Sequence, residues 1–181
     1  MNIQALKAHA DTEGPVTISL LPPRARFNLR IDAEETKRAG SVFGTPLANE
    51  ITTLTKNGDR EALCVGPDEW ILQAPEADSD LIKAGFEKLY EEVALSLVDI
   101  SDREIAIGLK GEHVSELLTV GYPGDIRDFP VGSGRRTVFD SVQAVLYRDS
   151  EDSWRLEIWR SFLPHIMDLL ETANAEIGAG L

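Results

Sequence analysis

The chain has 181 residues, 43% of them hydrophobic, so it can bury a full core as one domain or as two half-domains sharing a core. Its 18 basic and 31 acidic residues give a net charge of −13, which argues against nucleic acid as a partner because a phosphate backbone would be repelled. The single cysteine excludes an internal disulfide framework, and no apolar run approaches the roughly 20 residues that span a bilayer.

The N-terminal residues lack the apolar core of a signal peptide, and a lone cysteine suits a reducing compartment. We therefore expect a cytoplasmic protein of bacterial type. Residues 1–15 are predicted to form a flexible tail ahead of the folded part.

The first half of the chain is predicted to run strand, helix, two strands and helix. Residues 24–31 alternate between apolar and polar, which is typical of a strand, and a weak helix follows from Asp32. Two strands at 63–65 and 70–73 flank the acidic turn "GPDE". A second helix, starting at Asp78 or Ser79, is predicted to bury one stripe at a period near 3.6, comprising Leu81, Ile82, Phe86, Leu89, Tyr90 and Val93.

The second half repeats this order. Its predicted elements are a strand at 104–110, a short helix around 114–118, strands near 137–139, 142–148 and 154–159, and a last helix after Ser161. The buried stripe of that last helix is predicted to comprise Phe162, Ile166, Leu169, Leu170, Ala173 and Ile177.

Trp70 and Trp154 occupy matching places in the two halves, 84 positions apart, each after a short acidic turn. The chain is therefore predicted to be an α+β protein with internally duplicated β-α-β-β-α halves, near 16–93 and 94–177. We expect mostly antiparallel sheets with helices packed on one face, forming a single pseudo-symmetric domain over 16–181.

Residue types that carry catalysis or bind metals are sparse. His9, His113 and His165 have no metal-ligand spacing, so we predict no metal site and no catalytic constellation. Cys64 lies within a predicted strand and is interpreted as a small core residue rather than a nucleophile.

Two polar features have competing interpretations. Arg135 and Arg136, with Arg127 nearby, form a basic spot that suits a carboxylate or phosphate ligand, or a solvated, salt-bridged loop. Asp99 lies in the apolar run "LVDIS", where it either anchors a ligand or pairs locally with Arg103 at the strand end.

Aromatic and basic residues crowd the corner between the last strand and the last helix. Trp159, Arg160 and Phe162 are of types enriched at protein interfaces, so we interpret them as candidates for a partner contact. The alternative is a tryptophan at the edge of the core beside a solvated arginine.

Three segments together carry a family resemblance: "VGPDEWIL", "VDISDREIAIGLKGEHVSELL" and "EIWRSFLPHIMDLLE". They resemble the gamma subunits of heterotetrameric sarcosine oxidases, over roughly residues 16–177. More distantly, that family is similar to the internally duplicated, folate-binding fold of aminomethyltransferases, the T proteins of glycine cleavage.

The resemblance implies a non-catalytic assembly subunit with no cofactor of its own. It implies alpha, beta and delta subunits as partners, with FAD, FMN, NAD, tetrahydrofolate and zinc on those other subunits, in an assembly that oxidatively demethylates sarcosine to glycine. Catalytic residues would then be absent from this chain, and Asp99, Arg103, Arg135, Arg136 and Asp140 are its weak candidates for cofactor binding.

One position departs from the folate-binding relatives. They place an acidic pair just before the strand matching residues 144–148, where this sequence has Val142 and Gln143. Asp140 is close, but it matches only if the register slips. Because a pterin would lose its charge-assisted partner, the resemblance argues against a working folate site.

Three hypotheses follow, each from a different class of function. The first is the assembly subunit. The second is a free-standing transferase or folate-binding protein of the same fold, dependent on tetrahydrofolate. The third is a ligand-binding module that uses Asp99 and the loop with Arg135 and Arg136.

Overall fold

Ten strands and four helices follow one another in the part of the chain that the structure, a computed structural model, describes: Thr12 and residues 14–181. The strands are β1 Thr17–Leu20, β2 Ala25–Ile31, β3 Leu54–Asn57, β4 Arg60–Gly66, β5 Glu69–Ala74, β6 Leu95–Asp99, β7 Glu104–Lys110, β8 Ser133–Phe139, β9 Val142–Arg148 and β10 Ser153–Trp159. The helices are α1 Thr36–Phe43, α2 Ser79–Tyr90, α3 Val114–Leu118 and α4 Leu163–Ala179. Most of the predicted tail, 1–15, lies outside the described residues, and no described helix is long and apolar enough to cross a membrane.

The strands form two antiparallel sheets of five strands each, which confirms the predicted α+β class. One sheet has the order β1-β7-β10-β9-β8 and the other has the order β6-β2-β5-β4-β3. The two orders therefore correspond strand for strand, with β1 matching β6 and β10 matching β5. In each sheet the central strands come from matching places in the two repeats. The duplication read from the sequence thus appears in the strand order itself.

The edge strands are exchanged between the repeats. β1 is first in the chain but pairs with β7, and β6 pairs with β2. The chain accordingly divides into two units, one of residues up to Pro22 with Glu104–Gly132 and Arg136–Leu181, and the other of Pro23–Arg103 with Ser133–Arg135. The predicted halves, 16–93 and 94–177, are repeats along the sequence, whereas these two units follow from the exchange of β1 and β6.

Each unit has its own apolar core. In the unit of β7 and β10, α4 buries Ile166, Leu170 and Ala173 on its sheet, while Leu169 and Ile177 are partly buried. Phe162, predicted to belong to this stripe, is 37% exposed. It lies in a 3-10 turn, Arg160–Phe162, that precedes the helix, so the helical period does not extend to it.

In the other unit α2 buries a narrower stripe than predicted. Ile82, Phe86 and Leu89 are buried, but Leu81 is 69% and Tyr90 is 64% exposed. Those two residues are nine positions apart, about two and a half turns, and so lie on opposite sides of the helix. One face of the sheet covers only the stripe between Leu81 and Tyr90, so the prediction that these two residues are buried was wrong.

The two repeat tryptophans are both fully buried but are held differently. Trp70 lies opposite Leu29 on β2, and its Nε1 donates to the carbonyl of Ala48 at 2.7 Å. Trp154 lies at the matching place on β10, but its buried Nε1 has no hydrogen-bond acceptor among the described residues. Its indole instead meets the Phe129 ring edge-on at 5.1 Å.

This difference predicts unequal costs for the same substitution at the two positions. Trp70→Phe leaves the partly buried Ala48 carbonyl without its donor, whereas Trp154→Phe removes an unsatisfied donor. We expect Trp70→Phe to lower the free energy of unfolding by about 1–3 kcal/mol more than Trp154→Phe does. Urea unfolding of both variants measures the difference, and equal losses would show that the Ala48 bond contributes nothing.

Candidate functional site

The strand-to-helix turn after β10 exposes two aromatic rings. Trp159 ends β10 opposite Glu104, and the 3-10 turn Arg160–Phe162 then leads into α4. The rings of Trp159 and Phe162 lie 6.2 Å apart between centroids, inclined by 33°, and are 38% and 37% exposed. We call Trp159, Arg160 and Phe162 the aromatic corner, and the structure brings these three predicted residues together in one turn.

The aromatic corner is not required by the repeated framework. At the matching turn of the other repeat, Pro75 precedes the 3-10 turn Glu76–Asp78, 84 positions before the turn at Arg160–Phe162. A proline and an aspartate complete that turn and lead into α2 without any aromatic ring. Exposure of Trp159 and Phe162 is therefore a feature of one repeat only, and the repeated framework does not require it.

Asp140 lies close to the start of α4. It occupies the β8–β9 turn in a left-handed conformation, φ 52°, as Gly58 does at φ 57° in the matching β3–β4 turn. His165 Nε2 donates to its carboxylate at 2.9 Å, and so does the Ser141 hydroxyl at 2.9 Å. These hydrogen bonds, that of His165 foremost, hold the pKa of the Asp140 carboxyl below its usual value.

Val142 and Gln143, the positions predicted to match the folate acid pair of the relatives, carry no carboxylate. Val142 opens β9 and is buried, and Gln143 beside it is exposed. Asp140, the candidate that a register slip would supply, belongs to the turn and binds His165 and Ser141.

The three arginines of the predicted basic spot lie on two different elements. Arg135 and Arg136 are neighbours in β8, so their side chains point to opposite faces of the strand. Arg127 lies in a separate 3-10 turn, where its guanidinium donates to both oxygens of Asp125 at 2.9 and 2.6 Å. Those bonds lower the pKa of the Asp125 carboxyl to about 2, which marks a local, exposed pair.

Asp99 ends the edge strand β6 and is not deeply buried, contrary to what its apolar neighbours suggested. Its partners are Ser101, whose hydroxyl donates at 2.6 Å, and Lys83 at 3.8 Å, rather than the predicted Arg103. Partial burial opposes ionisation, but the Ser101 hydrogen bonds and the Lys83 charge outweigh it, so the pKa of Asp99 is lowered. An edge strand with one neighbour leaves its end in solvent, which the sequence pattern does not reveal.

Asp99 lies at one end of a groove that sequence reasoning missed. The groove, about 440 Å³, runs between α2 and strands β2 and β6. Its lining residues are Phe27, Lys83, Phe86, Glu87, Tyr90, Leu95, Ser96, Leu97 and Asp99. The available signal in the sequence was Tyr90, a tyrosine at the end of a helix. The helical pattern of apolar residues had instead placed Tyr90 in the core.

The remaining candidates have local structural contacts. Cys64 is buried, donates to the carbonyl of Gly66 at 3.3 Å, and has a pKa raised by burial. His113 pairs with Glu116 at 3.0 Å on the surface, and His9 lies outside the described residues. Within the described residues, no group of three or more His, Cys, Asp and Glu side chains is placed to hold a metal ion.

Comparison with known proteins identifies the family. The sarcosine oxidase, gamma subunit family matches residues 32–176. This chain belongs to that family. A gamma subunit of sarcosine oxidase from Corynebacterium sp. (strain U-96) is 29% identical over 119 residues, which are 65% of this chain. The match spans 57% of the length of that relative.

Solved structures show the same fold. A chain of the heterotetrameric sarcosine oxidase from Corynebacterium sp. U-96, in complex with pyrrole 2-carboxylate, superposes with a TM-score of 0.83 at 24% identity. That match covers 97% of this chain and 92% of the other. The aminomethyltransferase T of the glycine cleavage system from Bartonella henselae has a TM-score of 0.66 at 11% identity, over 93% of this chain and 48% of that protein. The predicted likeness to the aminomethyltransferase fold is therefore confirmed.

The hydrogen bonds of Asp140 lead to a pH prediction. Because its pKa is lowered in the folded state, the pair contributes stability above the ordinary pKa of an aspartate, and this is lost as the pH falls through the lowered value. His165→Ala is expected to raise the pKa of Asp140, and Ser141→Ala to raise it less, since the His165 bond is the larger cause. Carboxyl-carbon NMR titration measures both. A pKa that His165→Ala leaves unchanged would contradict the assignment.

Proposed function

We propose that this chain acts as the gamma subunit of a cytoplasmic, heterotetrameric sarcosine oxidase and binds its alpha, beta and delta subunits. The observation that carries the proposal is the family match over residues 32–176. The superposition on a chain of a heterotetrameric sarcosine oxidase supports it, since it spans nearly all of both chains.

Within that assembly we assign this chain a structural role. The polar residues that looked like ligand anchors have local partners: Asp99 binds Ser101 and Lys83, Asp125 binds Arg127, and Asp140 binds His165. Each contact stabilises a turn or a strand end. The proposal assigns oxidative demethylation of sarcosine to glycine to the other subunits, together with FAD, FMN, NAD, tetrahydrofolate and zinc.

The aromatic corner is the surface that suits the assembly role. Two aromatic rings more than a third exposed cost little in an isolated chain but bury a large area against a partner. Trp159 is also at the end of its strand, where truncation leaves the sheet pairing intact. We therefore place part of the partner contact here.

The free-standing transferase has less support. The likeness to an aminomethyltransferase is one of fold, and folds host unrelated functions. At the positions of the folate carboxylates the chain carries a buried valine and an exposed glutamine, Val142 and Gln143.

Co-expression with the other subunits tests the assembly role of the corner. Trp159→Ala is expected to leave the unfolding transition of the isolated chain in place but to weaken co-purification by about 2 kcal/mol or more. Trp159→Phe should restore most of the binding, because it keeps an aromatic ring. Val131→Ala, at a residue 46% exposed outside the corner, is the control and should change neither.

Two outcomes would contradict the corner as an interface. If Trp159→Ala unfolds the isolated chain, the indole belongs to the core. If it changes neither folding nor co-purification, the partners bind elsewhere on the surface.

The isolated chain is further expected to bind tetrahydrofolate poorly and to produce no peroxide from sarcosine and oxygen without added flavin. The weak folate binding is expected because Val142 and Gln143 supply no carboxylate partner for a pterin. The lack of peroxide is expected because the sequence shows no acid–base, metal or nucleophile constellation. Calorimetric titration and a peroxide assay on the purified chain measure the two. A dissociation constant in the low micromolar range would favour the transferase instead.

A further inference from the structure

The first edge strand of the chain is covered by the chain's own N-terminal side. Thr12 and Ile18 exchange two backbone hydrogen bonds of 3.1 and 3.3 Å on the outer edge of β1. Asn174 of α4 binds the backbone N–H and carbonyl of Val16 at 3.0 and 2.8 Å. The fit is close, since a β-carbon at Gly14 would come within 2.7 Å of Asn174. Thr12 thus covers the edge of β1 at Ile18, and the contact of Asn174 with Val16 fills the space between the start of β1 and α4.

The matching place in the other unit is not filled by any residue that the structure describes. Leu97 is paired with Leu29 as Ile18 is paired with Leu109, so β6 corresponds to β1 residue by residue. Ile18 is fully buried, whereas Leu97 is only partly buried. Tyr90, 84 positions before Asn174, is 64% exposed where Asn174 is 2% exposed. The groove beside α2 is therefore the counterpart of the place that the N-terminal segment fills.

The backbone of β6 presents an outer edge that another strand can join. The Ile100 N–H bonds to the carbonyl of Arg26, and bonded and non-bonded pairs alternate along an antiparallel ladder. Ser96 and Val98 therefore face β2, while the N–H and C=O groups of Leu95 and Leu97 point away from it. β6 is also the last strand of its sheet in the described part of the chain.

Among the described residues, no segment of the chain lies along the outer edge of β6. β1 has Thr12 paired on its outer edge, whereas β6 begins at Leu95, only a short turn after α2 ends at Tyr90. An open strand edge flanked by a partly apolar groove is a recurring binding site for extended peptides.

The chemistry of the groove favours a basic occupant. Its aromatic and aliphatic wall is formed by Phe86, Tyr90 and Leu97. Glu87 and Asp99 line it with a single cation, Lys83, which already bridges Asp80 at 3.0 Å and Asp99 at 3.8 Å. In a chain of net charge −13, this leaves a negative potential along an apolar floor.

We propose that the outer edge of β6 and the groove beside α2 bind an extended segment of a partner subunit as a sixth strand. The segment pairs antiparallel with Leu95 and Leu97, as the chain itself does at Thr12 and Ile18. It places an apolar side chain against Tyr90 and a lysine or arginine near Glu87. This inference rests on the proposed function, because the partner is one of the other subunits of the oxidase.

Hydrogen exchange at single amides tests the pairing. In the isolated chain the Leu95 and Leu97 amides are expected to exchange quickly, and those of Ser96 and Val98 slowly. In the assembly formed with the co-expressed subunits, exchange at Leu95 and Leu97 should slow by about tenfold or more, as for amides that enter a strand ladder. Ser96 and Val98, already bonded to β2, should change little.

A matched pair of variants on α2 tests whether the groove contributes to binding. Tyr90→Ala is expected to weaken the affinity of the isolated chain for the other subunits about fivefold or more and to reduce the new protection. Leu81→Ala removes a side chain that is 69% exposed on the opposite side of the same helix and should leave affinity and protection unchanged.

The outcomes separate this inference from the proposed function. If the assembly forms and Leu95 and Leu97 still exchange quickly, the sixth strand is wrong while the subunit role stands. If no assembly forms with the other subunits, both fail. If protection at Leu95 and Leu97 rises with the concentration of the isolated chain alone, the occupant is a second copy, and the inference is overturned.

Discussion

The strands β7 and β2 each need a neighbour on their outer side, and in this chain that neighbour comes from the other repeat. β1 completes the sheet built from the second repeat, and β6 completes the sheet built from the first. Neither half of the sequence therefore contains all five strands of either sheet. The cores beneath α2 and α4 depend on this, since the exchanged strands carry Ile18 and Leu97 into them.

The exchange also explains how two similar frameworks acquired different surfaces. The framework positions keep the same task in both repeats, as with Trp70 and Trp154 on their central strands. The positions around the framework diverge: Asn174 binds the backbone of Val16, whereas its counterpart Tyr90 is exposed. A chain with a duplicated fold can thus cover the edge strand of one sheet itself and leave the edge strand of the other sheet available to a partner.

The charged side chains of the two units act mainly on their immediate neighbours. The chain is strongly acidic, yet the exposed carboxylates with lowered pKa values each have a neighbour close by, as Asp125 has Arg127 and Asp140 has His165. Exposed pairs of this kind contribute little to stability, because solvent and salt screen them. Their effect is to order turns, and the acidity that remains gives the α2 groove its preference for a basic segment.

The sequence by itself determined the class of fold, the repeat, most strand positions and the family, because alternation, turn residues and the motifs around Trp70 and Trp159 are local signals. It also located the aromatic corner, whose residues adjoin along the chain. Only the tertiary structure decided that β1 and β6 change places, that Tyr90 and Leu81 leave the buried stripe, and that Asp99 binds Lys83 rather than Arg103. These depend on which distant segment covers a given face, and a strand or helix with the same local pattern can be covered or left open.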